Sequence, residues 1–183
     1  MNRPIESPDH IGEIRAAIRD IHDFPKPGIV FKDITPLLSN GPLFRKTIDL
    51  LAERYEKAPV DTIVGVESRG FIIGAALAYR LGKGLCVIRK PGKLPYETLQ
   101  TTYELEYGTD TLEVHRDALV PGTQVLLVDD LVATGGTAVA ATILVEKLGG
   151  AVFEHACIIE LSFLNPRNKL AQELFSLIRY DSE

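Results

Sequence analysis

The chain has 183 residues, 45% of them hydrophobic, and its 20 Lys and Arg against 25 Asp and Glu leave a formal net charge of -5 at pH 7. That length fills one α/β or α+β core and is short for two, so a single domain spanning residues 1–183 is expected. The acidic balance argues against broad polyanion binding, the longest apolar runs fall well below the roughly 20 residues that cross a bilayer, and Met1 to Ile11 carries no signal-peptide core, so the expectation is a cytoplasmic protein with no nucleic-acid or membrane partner.

Ile11, Ile14, Ile18 and Ile21 recur at helical spacing and predict a helix over 11–21, stopped by the prolines and glycine of "DFPKPG". "IVFKDITPLL" follows as a short extended piece. Phe44, Ile48 and Leu51 then mark one face of a helix over Leu43–Tyr55. "DTIVGVES" reads as a buried strand ending in Arg69-Gly70, and "FIIGAALAYRLG" as a helix closed by Gly82. Next come the strand "GLCVIRK" and a polar, proline-bearing stretch from Pro91 to about Thr101, whose composition predicts a mobile lid reaching to about Tyr103. Two alternating segments, "TTYELEY" and "TLEVHRDAL", flank the turn residues Gly108-Thr109-Asp110 and predict a hairpin. "QVLLVDD" is another buried strand, "GGTAVAATILVEKLGG" another glycine-closed helix, and "VFEHACIIEL" the last strong strand. Strands alternating with helices indicate an α/β fold with a mostly parallel central sheet covered on both faces, into which the hairpin is inserted. Cys86 and Cys157 sit singly in apolar segments and read as buried free thiols, and the four histidines show no metal spacing.

The chemistry gathers where strands end. In an open parallel sheet ligands collect beyond the carboxyl ends of the strands, and Asp129 and Asp130 stand there, followed by Thr134-Gly135-Gly136-Thr137 at a helix start. Glycines allow close backbone approach, and the first-turn N–H groups with two hydroxyls make an anion site suited to a phosphate. Carboxylates so close would repel that phosphate unless they served another part of the same molecule, and vicinal hydroxyls are good partners for paired carboxylates. A ribose 5-phosphate satisfies both. Arg69, and the cluster Arg89, Lys90 and Lys93 leading into a glycine and proline loop, add cations at two further strand ends; singly, each could be an ordinary surface charge.

With these residues in view, "VLLVDDLVATGGT" is similar to the phosphoribosyl pyrophosphate (PRPP) motif of the type I phosphoribosyltransferases. "FPKPGIVFKDITPLL", "ESRGFIIGAALAYRLG" and "RKPGKLPYETLQTTYELEYG" resemble the members of that family that use adenine, over about Ile14 to Leu161. Lys32 stands where some relatives have arginine and Val132 where leucine is frequent, departures that touch only the tuning of base affinity. The resemblance implies the type I fold with a small N-terminal base-binding hood, and transfer of the 5-phosphoribosyl group of PRPP to adenine in purine salvage, giving AMP and pyrophosphate. It also implies Mg2+ held mainly through the substrate rather than by protein ligands, and a homodimer.

By the same resemblance, Asp129 and Asp130 bind the ribose, and Ala133, Thr134, Gly135, Gly136 and Thr137 the 5-phosphate. Glu67, Ser68, Arg69, Arg89, Lys90 and Lys93 serve the pyrophosphate, with a cis peptide between Glu67 and Ser68. Val30, Phe31, Lys32 and Leu131 bind adenine, the base lying between Phe31 and Leu131; periodicity alone would make Phe31 a core aromatic. Glu106 and Tyr107 are the implied catalytic pair, although alternation alone does not separate Glu106 from Glu104. Two readings stay open beside this one: transfer to another base, and a non-catalytic regulator that senses PRPP and binds nucleic acid.

Overall fold

The computed structural model of the chain describes residues 9–104 and 109–182, and from Thr62 onward it follows the strand–helix rhythm of the sequence. By its contacts the chain divides into two compact units, Met1–Thr47 and Ile48–Glu183.

The smaller unit contains α1 (His10–Ala16), β1 (Arg19–His22), β2 (Val30–Asp33), α2 (Thr35–Ser39) and the start of α3 (Gly41–Tyr55). Asp9 caps α1 by accepting from the Gly12 N–H at 2.9 Å. The helix expected over 11–21 ends at Ala16, because residues 19–22 pair antiparallel with β2, from Arg19↔Asp33 to His22↔Val30. Ile18 and Ile21 fit a helical period, but their charged neighbours find partners across the ladder: Arg19 with Asp33 at 2.6 Å and Lys32 with Asp20 at 2.8 Å. The connecting turn closes on Asp23, whose Oδ1 accepts from the Gly28 N–H at 2.8 Å. Ile14, Ile34 and Leu37 are wholly buried.

The larger unit is built from β3 (Thr62–Val66), α4 (Arg69–Leu81), β4 (Gly84–Ile88), β5 (Thr98–Glu104), β6 (Thr109–His115), β7 (Gln124–Val132), α5 (Gly136–Lys147), β8 (Ala151–Leu161) and β9 (Leu174–Tyr180). Five strands form one parallel sheet in the order β4-β3-β7-β8-β9, and β5-β6 is a separate antiparallel hairpin. Near-continuous apolar runs such as Val125–Val128 are what a strand buried on both faces requires. Gly82 ends α4 in the left-handed conformation at φ 64°, as its position in the sequence predicts. Close approach of α4 to the sheet depends on Gly70, where a Cβ would meet the Val128 carbonyl at 2.9 Å and Asp129 Oδ1 at 2.8 Å.

Three boundaries differ from the sequence expectation. The lid stretch gives way to strand at Thr98, and Thr109 and Asp110, expected in the turn, belong to β6, opposite Glu104 and Tyr103. β7 does not stop at the two aspartates. Its pairing with β3 ends at Gly65↔Val128, while its ladder with β8 continues to Val132↔Glu160. β9 was not foreseen, because as an edge strand it buries only Leu174 and Ile178 and its apolar signal is mixed.

Candidate functional site

Where β3 stops and β7 runs on, the sheet opens a step, and a cavity of about 320 Å³ occupies it, lined by Glu67, Ser68, Arg69, Lys90, Tyr103, Asp110, Leu112, Asp129, Asp130, Leu131 and Thr137. A second hollow of about 250 Å³, formed by Asp129 and residues 131–138, shares Asp129, Leu131 and Thr137 with it. Ala133, Thr134, Gly135 and Gly136 lie there.

The second hollow is a backbone site. Gly135 precedes α5 at φ 83°, a conformation that suits glycine, and as the N-cap residue it supplies no capping side chain. The first-turn N–H groups of a helix have no partner within it, and with no acidic residue in that turn they present a positive end to the hollow. A Cβ on Gly135 would meet the Pro166 carbonyl at 3.1 Å, so space as well as φ selects glycine.

The two aspartates occupy the step itself. Asp130 is buried and accepts from Arg69 Nε at 2.5 Å, and Asp129 Oδ1 accepts from the Asp130 N–H at 2.8 Å. Burial, followed by the adjacent Asp130 charge, pushes the Asp129 carboxyl well above the usual carboxylate range. Arg69 thus neutralises one charge of the pair.

The far end of the cavity is a lattice of side-chain charges. Glu67, at the end of β3 and joined to Ser68 by the cis peptide the family resemblance implies, accepts from Lys93 Nζ at 2.5 Å, from the Lys90 N–H at 2.9 Å and from Arg89 Nε at 3.3 Å. Burial alone would raise the Glu67 pKa, but these donors outweigh it and hold the carboxyl down at about 2. Lys90 Nζ pairs with Asp110, whose Oδ2 also accepts from the Tyr103 hydroxyl at 3.2 Å; that hydroxyl lies 3.2 Å from Thr137 Oγ1. The turn bearing Lys93 is tethered to Glu113 through the N–H groups of Lys93 and Leu94.

The residues chosen from sequence for ribose, phosphate and diphosphate therefore come together, Arg89 and Lys93 reaching the cavity through Glu67. Leu131 lines both hollows. Val30, Phe31 and Lys32 lie on β2 of the smaller unit, Phe31 edge-on to Phe24 with ring centroids 5.3 Å apart and Lys32 buried. Glu106 and Tyr107 fall outside the described residues. Tyr103, Asp110 and Glu113 escape the sequence reading. The first two are a cross-strand pair, visible in sequence only once the hairpin register is known. Both cysteines are buried and free, as expected.

Comparison with known proteins gives a family. The family model described as phosphoribosyl transferase domain matches residues 33–179. Curated adenine phosphoribosyltransferases of Roseiflexus sp. and Syntrophotalea carbinolica are 60% and 56% identical to the chain, over 89% and 92% of its length and 95% and 99% of theirs. Among solved structures, adenine phosphoribosyltransferase from Thermoanaerobacter pseudethanolicus superposes with a TM-score of 0.91 at 53% identity, covering 93% of this chain and 99% of that one. The Saccharomyces cerevisiae enzyme, complexed with an imino-altritol bisphosphate and adenine, gives 0.87 at 43% identity over 92% and 98%.

Proposed function

The chain belongs to the phosphoribosyltransferase family and transfers the 5-phosphoribosyl group of PRPP to adenine in purine salvage; we propose that the step between β3 and β7 is where this transfer occurs. The observation that carries the placement is the order of groups across two hollows that share Asp129, Leu131 and Thr137: helix-start amides in one, the paired carboxylates beside the junction, and in the other Arg69 and Lys90, with Arg89 and Lys93 joined to it through Glu67. PRPP has the same order of 5-phosphate, ribose hydroxyls and diphosphate.

In this arrangement the amides and hydroxyls of 134–137 hold the 5-phosphate, and Asp129 and Asp130 accept from the ribose hydroxyls. Arg69, Arg89, Lys90 and Lys93 take the diphosphate. As the bond from C1 to the pyrophosphate oxygen breaks, positive charge grows on the ribose beside two carboxylates, and negative charge grows on the leaving group among the cations. Fixing the sugar in this way keeps C1 open to N9 of adenine. The N9 proton has to leave, and Glu106, with Tyr107 beside it, is assigned to assist at the imidazole ring. Adenine recognition is assigned to Leu131, Val30, Phe31 and Lys32, with backbone groups around Val30 reading the base edge.

Among the described residues no three His, Cys, Asp or Glu side chains group as a metal cage. The two carboxylates at the step, Asp129 and Asp130, fit a magnesium ion coordinated mainly by substrate oxygens and waters; when bound, it would offset diphosphate charge. The chain is further proposed to act as one phosphoribosyltransferase domain, as a homodimer in the cytoplasm. Ile72 and Tyr79, exposed on α4, offer apolar surface that a second copy would cover, and among the described residues no helix is long and apolar enough to cross a membrane.

Pyrophosphate release with adenine, guanine, hypoxanthine, xanthine or orotate tests the reading. Adenine is expected to exceed the others by roughly 10²-fold or more in kcat/KM, because a 6-oxo base reverses the donor and acceptor pattern at the edge. Equal or greater turnover with another base would reassign the acceptor, and no release with any of them would favour a non-catalytic PRPP sensor.

A further inference from the structure

An antiparallel bridge between Arg89 and Glu113 joins the hairpin to the end of β4. The Arg89 N–H donates to the Glu113 carbonyl at 2.9 Å and the Glu113 N–H to the Arg89 carbonyl at 2.8 Å, so the main chain of Glu113 sets where Arg89 leaves the end of β4. Its side chain turns back over the loop that follows. Oε1 accepts from the N–H of Lys93 at 3.0 Å and of Leu94 at 3.1 Å, and Oε2 accepts from Gln100 Nε2 at 3.2 Å. Glu113 is only 2% exposed, and each of these donors is a neutral amide.

Burial by itself would raise the pKa of this carboxyl; the backbone amides of Leu94, Gly92 and Lys93, with the Gln100 amide, bring it below the usual carboxylate value instead. A buried charge is thus held by the turn, and the turn by the charge. In electrostatic terms its location is unfavourable for the chemistry nearby, because a negative group beside an anion site repels the anion. A carboxylate is nevertheless the side chain with enough acceptor capacity to gather three amide donors at one point.

On the reading that Arg89, Lys90 and Lys93 grip the diphosphate, we infer that Glu113 is the positioning residue of that clamp: its main chain pins Arg89, and its carboxylate holds the turn that presents Lys93. The clamp is then set before substrate arrives, so binding does not have to order the turn.

Charge and position make opposite predictions, which gives the test its sign. Removing a negative charge near a diphosphate site strengthens pyrophosphate binding if Glu113 matters only as a charge. If Glu113 positions the clamp, Glu113→Ala weakens pyrophosphate binding by between about tenfold and a hundredfold. Glu113→Gln, which keeps an acceptor of the same length, restores most of that loss. Titration of the intact protein with pyrophosphate, with AMP affinity as the check on folding, reads these outcomes. Should the alanine variant not fold, Gln100→Leu removes one donor and is expected to weaken pyrophosphate binding about threefold, with faster amide exchange at Lys93 and Leu94. Pyrophosphate affinity at or above that of wild type in Glu113→Ala, or in Gln100→Leu where that stands in for it, would overturn the role of Glu113, provided that Lys93→Ala is weakened. Undiminished pyrophosphate binding by Lys93→Ala would overturn the clamp reading, and the role of Glu113 with it.

Discussion

The two hollows share three lining residues and together form a site whose two ends are built from different materials. At one end, five consecutive residues, Ala133 to Thr137, form a hollow from main-chain amides and a left-handed glycine. At the other, Glu67, Arg69, Arg89, Lys90, Lys93 and Asp110 come from several separate parts of the chain, and each cation there is held by a carboxylate: Arg69 by Asp130, Arg89 and Lys93 by Glu67, Lys90 by Asp110. A phosphate entering the first end has no cation to win from a carboxylate. On the proposed assignment, a diphosphate entering the second has to draw cations from the acids that hold them, so its affinity depends on how tightly those acids grip. Backbone sites resist side-chain substitution and fail when glycine geometry is lost, whereas charge lattices can be tuned residue by residue.

The largest expected effect falls between the two ends. Asp129→Asn combined with Asp130→Asn is expected to lower turnover with PRPP by roughly 10²-fold or more, since on the proposed reading the sugar loses the groups that orient C1. Thermal stability of the free protein should be unchanged or higher. The folded Asp129 carboxyl has a raised pKa, so its ionisation, which advances as pH rises, works against the fold, and an amide removes that cost. Steady-state kinetics beside a melting curve checks both; near-normal turnover would refute the ribose role.

A smaller change sharpens the account of the charged end. Asp110→Asn leaves Lys90 without its carboxylate partner, and pyrophosphate affinity is expected to rise a few-fold, with no such gain when Lys90→Ala is also present. A double-mutant cycle by calorimetry measures this coupling.

The smallest effect is a pH dependence of stability. Glu67 has a folded pKa of about 2. Because that value is depressed, the stabilisation it supplies is fully present above its unfolded value of about 4.3 and is lost as pH falls towards 2. The difference in melting temperature between wild type and Glu67→Gln should therefore shrink steadily below about pH 4. A gap that stays constant down to pH 3 would mean that the lattice around Glu67 contributes nothing through its charge.

The same contrast explains what was legible in the sequence. "VDDLVATGGT" gives the carboxylates and the backbone hollow directly, because every part is adjacent in the chain and glycine, threonine and aspartate have few other reasons to stand in that order after a buried strand. The sheet strands from Thr62 to Leu161 are legible for the same reason, each carrying its own apolar run. The charged end was only half readable. Arg69, Arg89, Lys90 and Lys93 could be singled out as cations at strand ends, but the partners that organise them lie far off in sequence: Asp110 is 20 residues from Lys90, and Glu113 is 20 from Lys93. Glu113 alternates along a strand like any solvent-facing acid and becomes unusual only once β6 closes against Arg89. The strand at 19–22 was missed because Ile21, with Ile18 just before the strand, also satisfies a helical period, and the partners that decide otherwise, Asp33 and Lys32, are a turn away.

The claim that the cavity joins a backbone-built phosphate site to a side-chain-built diphosphate site is tested most directly by one crossed titration. Pyrophosphate and AMP are each titrated calorimetrically into wild type, Arg89→Ala and Gly135→Ala. Arg89→Ala is expected to weaken pyrophosphate on the order of tenfold or more while sparing AMP. Gly135→Ala, which forces a Cβ into a left-handed backbone 3.1 Å from the Pro166 carbonyl, is expected to weaken AMP by a similar factor while sparing pyrophosphate. If each variant instead weakens both ligands equally, the two ends are not separate constructions and the account fails.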